Sequence, residues 1–371
     1  MKKSAFSASL IYFIVVCVFC VIRMLNSFHL LSFMGEVGNY VVNGFLQIGM
    51  LLLFSILMFK IMNKKSLKRT FRDFNYERIS FKVVLISIGL GVVVYFLNVF
   101  VSSFFYAILE SLGYSLSSGS GGGVVSIWTL VLGLIFTAIL PAICEENLHR
   151  GMLLTSTSGL GMKNSILLTG LMFGLLHLNI EQFFYATLIG FFLGFVCYVS
   201  GSIYPCMIIH FMNNGISVLL SYLTASGTLH GGFFTQLNTI LANNVVVGFV
   251  VMFITILVLV ILLVVLTRLL LKVSFEDSIR EKQKVMQNLA TRVNYLNDVE
   301  KIKGEEAENE KMFMFMSMEE IKRFMQDNPD AIVVPNPKRE KLETRTKILL
   351  IASIVLSSAV TLFTLIWGII C

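Results

Sequence analysis

Nine stretches of this chain are almost wholly apolar: about 6–26, 40–62, 83–108, 124–143, 164–180, 182–200, 203–223, 244–271 and 347–370. Crossing roughly 30 Å of hydrocarbon takes about 20 apolar residues in a helix, and a helix satisfies its own backbone hydrogen bonds where no water is present. The pattern predicts an all-α, polytopic membrane helix bundle of about nine spans. From 274 to 346 the chain turns polar, and Phe275, Ile279, Val285, Leu289, Val293, Leu296 and Val299 recur at spacings near three and four. That spacing predicts a helix with a charged outer face. A second helix is expected around Met312–Met325, and Pro329, Pro335 and Pro337 mark an irregular connector. The chain thus divides into N-terminal spans (1–123), a central membrane core (124–223), a further span (224–273), a charged helical arm (274–346) and a C-terminal span (347–371).

Charge sets the expected orientation. The loop after the second stretch carries Lys64, Lys65, Lys68, Arg69, Arg72, Arg78 and Lys82, and the positive-inside rule places it in the cytoplasm. Alternation puts the N-terminus and the 274–346 arm on the same side, in a multi-pass protein of the cell membrane. Lys2 and Lys3 before an apolar run resemble a secretory signal, but no small-x-small cleavage site follows, so the first stretch is expected to stay as an anchor. Composition fits a bilayer, with 56% hydrophobic and 14% charged residues and mean hydropathy +0.82, and excludes a soluble globular domain. Five of the six cysteines lie in or beside apolar stretches and Cys371 is terminal, which argues against a disulfide framework.

Against this background three polar clusters stand out. Fifteen of the 22 Asp and Glu fall between Glu276 and Glu343, yet Glu145 and Glu146 sit side by side in the apolar core, followed by Arg150. His177 follows Phe173 by one helical turn, and His210 precedes Asn214 by one turn. Ionisable groups at membrane depth are costly and usually functional. On a helix Glu146 and Arg150 are near neighbours, whereas Glu145 points about 100° away from Glu146. Arg150 is therefore expected to hold Glu146 as a structural group and to leave Glu145 as a general base for water. Gly170-x-x-x-Gly174 and Gly190-x-x-x-Gly194 predict close helix approach beside these clusters.

Glu-Glu-x-x-x-Arg, Phe-x-x-x-His and His-x-x-x-Asn, in this order on consecutive spans, resemble the CPBP family of CAAX prenyl endopeptidases and bacteriocin-processing or immunity membrane proteins, also called Abi. Pro141, Gly151 and the stretch Gly201-Ser202-Ile203-Tyr204-Pro205 extend the similarity, which covers roughly 128–223. The resemblance implies that Glu145 and His177 activate water, that His210 and Asn214 bind the oxyanion, and that Glu146 and Arg150 support them. His149 departs from the family pattern, which has an aromatic residue there, and is either a packing change or an alteration of the site.

The expected function is that of an intramembrane endopeptidase acting on a membrane-embedded or membrane-proximal peptide or protein near the cytoplasmic face. The alternative is a catalytically silent scaffold, or an immunity or regulatory protein of the same fold. No cofactor is expected; zinc on Glu145, His177 and His210 is the competing arrangement, although no His-Glu-x-x-His is present. A Lys- and Phe-rich, Pro-poor composition points to a bacterium of low genomic GC, hence to a peptide pheromone, bacteriocin or membrane regulator as substrate. The lipid bilayer and a protein partner or second copy contacting 274–346 are the other expected partners, with no nucleic acid.

Overall fold

The computed structural model describes residues 2–28, 35–116, 126–228, 244–290 and 341–370. Among them the chain is a polytopic all-α membrane bundle without a strand. Its helices are α1 (Lys2–Ser27), α2 (35–62), α3 (Leu67–Asp73), α4 (Phe81–Ser111), α5 (Ile127–Leu160), α6 (Met162–Leu176), α7 (Ile180–Ser200), α8 (Tyr204–Ala225), α9 (Val245–Ala290) and α10 (Thr344–Ile370). Eight of these are long and apolar enough to cross a membrane. The exceptions are α3, a short helix in the basic loop, and α6, which is apolar but has 15 residues.

Two boundaries differ from those the sequence predicts. The fifth stretch, read as a span over 164–180, is a shorter helix that ends at Leu176, because buried Leu178 takes the left-handed conformation at φ 50°. The Asn179 side chain then accepts from the Glu181 amide and starts α7. The fourth stretch does not end near 143 but runs on to Leu160. The hydroxyls of Thr155, Thr157 and Ser158 donate to carbonyls three or four residues back, at Gly151, Leu153 and Thr155. Side chains that look like loop formers are thereby satisfied inside the helix. Gly161, at φ 84°, makes the reversal into α6.

Within α5 the turn Leu140–Glu146, which carries both acids, is bracketed by two widened π-helical stretches, Leu134–Ile139 and Asn147–Leu154. Local widening of this kind is frequent at functional sites. Helices α6 and α7 form a hairpin whose backbones nearly touch. A Cβ on Gly190 would lie 2.7 Å from the Gly170 carbonyl oxygen, and one on Gly174 would lie 2.8 Å from the Phe183 carbonyl oxygen. Gly194 has ordinary clearance, with its nearest neighbour at 3.5 Å, so three of the four flagged glycines make the close approach.

The two ends of the bundle are set by contacts between loops. At one, here the basic face, Ile203 N donates to Asn75 O (2.9 Å), Ser202 Oγ to Glu77 O (2.7 Å), and Phe74 packs on Gly151. At the opposite, distal face, Ser115 N donates to Gly368 O (2.7 Å), Tyr114 Oη to Glu181 Oε1 (3.1 Å) and Ile180 N to Thr364 Oγ1 (3.0 Å). Helix α9 continues for 46 residues through the boundary expected near 273. Residues 291–340, on which most of the arm and the expected second helix and connector fall, lie outside the described residues.

Candidate active site

The centre of the site is a fully buried carboxylate with two partners. Arg150 Nη1 donates to Glu146 Oε1 at 3.0 Å, and His210 Nδ1 lies 2.8 Å from the same oxygen. Arg150 Nη2 donates to the Gly190 carbonyl at 3.0 Å, tying α5 to the α6–α7 hairpin. Glu146 and Arg150 are both 0% exposed. A pair so buried is tolerated only with good geometry and further hydrogen bonds. Sequence reasoning placed His210 beside Asn214; the contact it did not foresee is that of His210 with Glu146. With Nδ1–H given to the carboxylate, the ring keeps Nε2 for the cavity.

Phe173 is the packing hub of these groups. The Arg150 guanidinium sits 4.4 Å over its ring, a cation–π arrangement, and His149, His177 and His210 meet it edge to face at 5.0, 5.4 and 5.7 Å. The unusual His149 is a packing residue. It is wholly buried, its Nδ1 donates to the Glu145 backbone carbonyl at 2.9 Å, and its ring rests against Tyr12, whose hydroxyl donates to Met172 O at 2.7 Å. Asn147, which the sequence did not single out, is equally buried. Its Oδ1 accepts from Tyr76 Oη (3.1 Å) and its Nδ2 donates to Ser55 Oγ (2.9 Å) and Leu51 O (3.3 Å), joining α2, α5 and the basic loop. The available signal was a third polar residue in the run after Glu145.

Glu145, His177, His210 and Asn214 all line one cavity of about 730 Å³. They come from α5, the end of α6 and α8, so four residues distant in sequence face a shared volume. Among the described residues no hydrogen bond or ion pair engages the Glu145 carboxylate, whereas that of Glu146 is doubly held. Asn214 Nδ2 donates to Thr137 O at 3.0 Å, and its Oδ1 accepts from Asn213 Nδ2 at 2.9 Å. Both bonds fix the plane of the amide and leave one Asn214 N–H.

The depth of the site differs from the sequence expectation. Glu145, expected near the end of its span, lies in mid-helix. Counting from Glu145 to Leu160 and from Met162 to His177 gives 15 steps each, so both lie roughly 22 Å from the Gly161 turn at the helical rise. Extension of α5 beyond 143 brings a glutamate and a histidine on successive helices to one level.

Among the described residues no three His, Cys, Asp or Glu side chains are grouped closely enough to enclose a metal ion. His210 Nδ1 is held by Glu146, which leaves Nε2 as the ring's free nitrogen.

No curated protein and no solved structure matches the chain. One family model does, and its match covers every motif residue from Pro141 to Asn214. Residues 126–216 match the family model described as type II CAAX prenyl endopeptidase Rce1-like.

Proposed function

We propose that the protein is an intramembrane endopeptidase that hydrolyses a peptide bond with a glutamate-activated water. The observation that carries this reading is the convergence of Glu145, His177, His210 and Asn214 on one cavity, with Glu145 unengaged and Glu146 locked. Glu145 takes a proton from water held between it and His177, and the water oxygen bonds to the scissile carbonyl carbon. The oxyanion is met by the free Asn214 N–H and by His210 Nε2–H when the ring carries both protons, its positive charge balanced by Glu146. The C–N bond then breaks as Glu145 returns the proton to the departing amine. No step in this reading draws on a metal. Glu146 and Arg150 are positioning residues, and the basic face is the cytoplasmic one.

The test is comparative membrane peptidomics on cells carrying wild type or Glu145→Gln. Cleaved termini are expected to vanish in the variant while folded, inserted protein persists. Unchanged termini would sink the assignment. A general base contributes typically about 10²–10⁴-fold, so a purified substrate should show a loss of that order.

A further inference from the structure

The cavity is not centred on the acid pair but runs from it in one direction. The level of the catalytic groups is marked by Leu51, which accepts from Asn147, and by Gly190, which accepts from Arg150. From that level the cavity walls continue on every helix toward the distal face: to Asn43 on α2, Tyr106 on α4, Phe136 on α5, Gln182 on α7 and Ser217 on α8. In the other direction lies a floor of fully buried side chains, including Leu148, Met152, Leu193, Cys197, Cys206 and Phe74. The chamber therefore points away from the basic loop.

Its chemistry is narrow. In the distal part Asn43, Gln47, Asn98, Ser102, Gln182 and Ser217 are interspersed with Phe19, Val99, Tyr106 and Phe136, and Glu145 is the one acidic side chain, with no Lys or Arg, among the described lining residues. Two of its amides hold oxygens without a hydrogen-bond partner: Gln47 Oε1 and Asn213 Oδ1, on residues 6% and 7% exposed. Their orientations are set by the nitrogens. Gln47 Nε2 donates to Asn43 Oδ1 (2.7 Å) and Phe136 O (3.1 Å), and Asn213 Nδ2 donates to Asn214 Oδ1 (2.9 Å). A buried acceptor left unpaired is costly. Such a wall suits neutral donors, which a peptide main chain supplies at regular intervals; it offers neither a cation for a terminal carboxylate nor an uninterrupted apolar slot for a prenyl chain. From Tyr95 to Tyr106 the lining of α4 extends about 16 Å at the helical rise, the length of about five residues of extended chain.

Building on the endopeptidase reading, we propose that this chamber is a peptide channel: it takes an extended, uncharged polypeptide stretch of about five residues, entered from the distal face, and Gln47 and Asn213 accept main-chain N–H groups of that stretch. The substrate class is then a neutral, unprenylated peptide segment presented on the side of the membrane opposite the basic loop.

The experiment uses full-length protein with its native cysteines replaced, in sealed vesicles of defined orientation, and a membrane-impermeant maleimide. Ser102→Cys reports on the chamber, Ser111→Cys on the distal face and Lys68→Cys on the basic face. Ser102→Cys should label from the side that labels Ser111→Cys; labelling from the Lys68→Cys side overturns the direction of entry. The second arm measures protection of Ser102→Cys by capped pentapeptides of Ser, Ala, Gly and Asn. A central Lys or Asp should weaken protection at least about tenfold, since an uncompensated charge would be buried, and a farnesylated cysteine peptide with a free carboxylate should protect no better than the charged ones. Esters in place of successive amides should weaken protection at the positions facing Gln47 and Asn213, and Asn213→Leu should abolish that difference at its own position alone while leaving unprotected labelling unchanged. Equal protection by ester and amide, or best protection by the prenylated peptide, overturns the proposal. Correct labelling and protection with no cleavage by wild type would instead overturn the endopeptidase reading and leave the channel standing.

Discussion

Two adjacent glutamates have opposite fates at the scale of single residues. Glu146 is sealed between Arg150 and His210, while Glu145, one residue earlier, faces the cavity. The pairing of Glu146 with Arg150 was legible because i and i+4 share a helix face. Its link to His210 was not, because it depends on how α5 and α8 pack. Removing Arg150 and removing Asn214 should therefore fail differently. Arg150→Ala strands a buried carboxylate, at a cost of about 3–5 kcal/mol, and should lower folded yield and thermal stability in detergent. Asn214→Ala removes one oxyanion donor from a half-buried position, so it should fold normally and lose about 10²–10³ in kcat with little change in KM. A fall in KM affinity without loss of kcat would remove Asn214 from that role. Metal is tested at the same scale. Because the donors present do not form a three-ligand set, active protein dialysed against a strong chelator should retain its rate; loss of activity restored by zinc alone would place Glu145, His177 and His210 around a metal.

Among the elements, the α6–α7 hairpin is the one that sets the geometry of the site. It supplies His177 from its tip, Phe173 from its inner face and the Gly190 carbonyl that receives Arg150. Small residues at four-residue spacing announced a close helix approach, whereas the length of α5 stayed hidden. Residues 151–160 are rich in Gly, Ser and Thr, and the sequence left open whether the helix continues through them; it does, because burial turns their hydroxyls back onto the helix's own carbonyls. The hairpin contact gives a sharp expectation. An added methyl at Gly190 has no room, since Gly170 O would be 2.7 Å and Gly170 Cα 3.0 Å away. Gly190→Ala should push α6 from α7 and lengthen the Arg150 to Gly190 hydrogen bond, costing about 1–3 kcal/mol by overpacking. Gly194→Ala, with ordinary van der Waals clearance, should be nearly silent. Thermal unfolding of the two variants in one detergent decides the matter, and equal midpoints would contradict the packing.

In the whole molecule, a core of α1, α2 and α4 to α8 supplies every described residue around the cavity, and α9 and α10 supply none. Periodicity and charge made the membrane bundle readable from sequence because a bilayer imposes long apolar helices. They could not show that the two helices flanking the arm stand aside from the site. Helix α9 is mostly exposed and packs on the core mainly toward the basic face, where Leu270 and Val273 join a cluster with Val83 and Leu193. Helix α10 docks on the core through Leu350 and Val360 and holds the α7 start through Thr364. Both roles are structural, and both end before residue 291 or begin after residue 340. Replacing residues 291–340 with a flexible linker of similar length should therefore leave kcat/KM for a short peptide largely intact, as expected for changes remote from the reacting groups. The apolar stripe that begins at Phe275 would lose its last three positions, Val293, Leu296 and Val299, so self-association or binding of a protein partner should weaken in the same variant. Cross-linking and peptide cleavage measured side by side separate the two effects. Cleavage that collapses while α9 and α10 remain inserted would mean that the arm reaches the site.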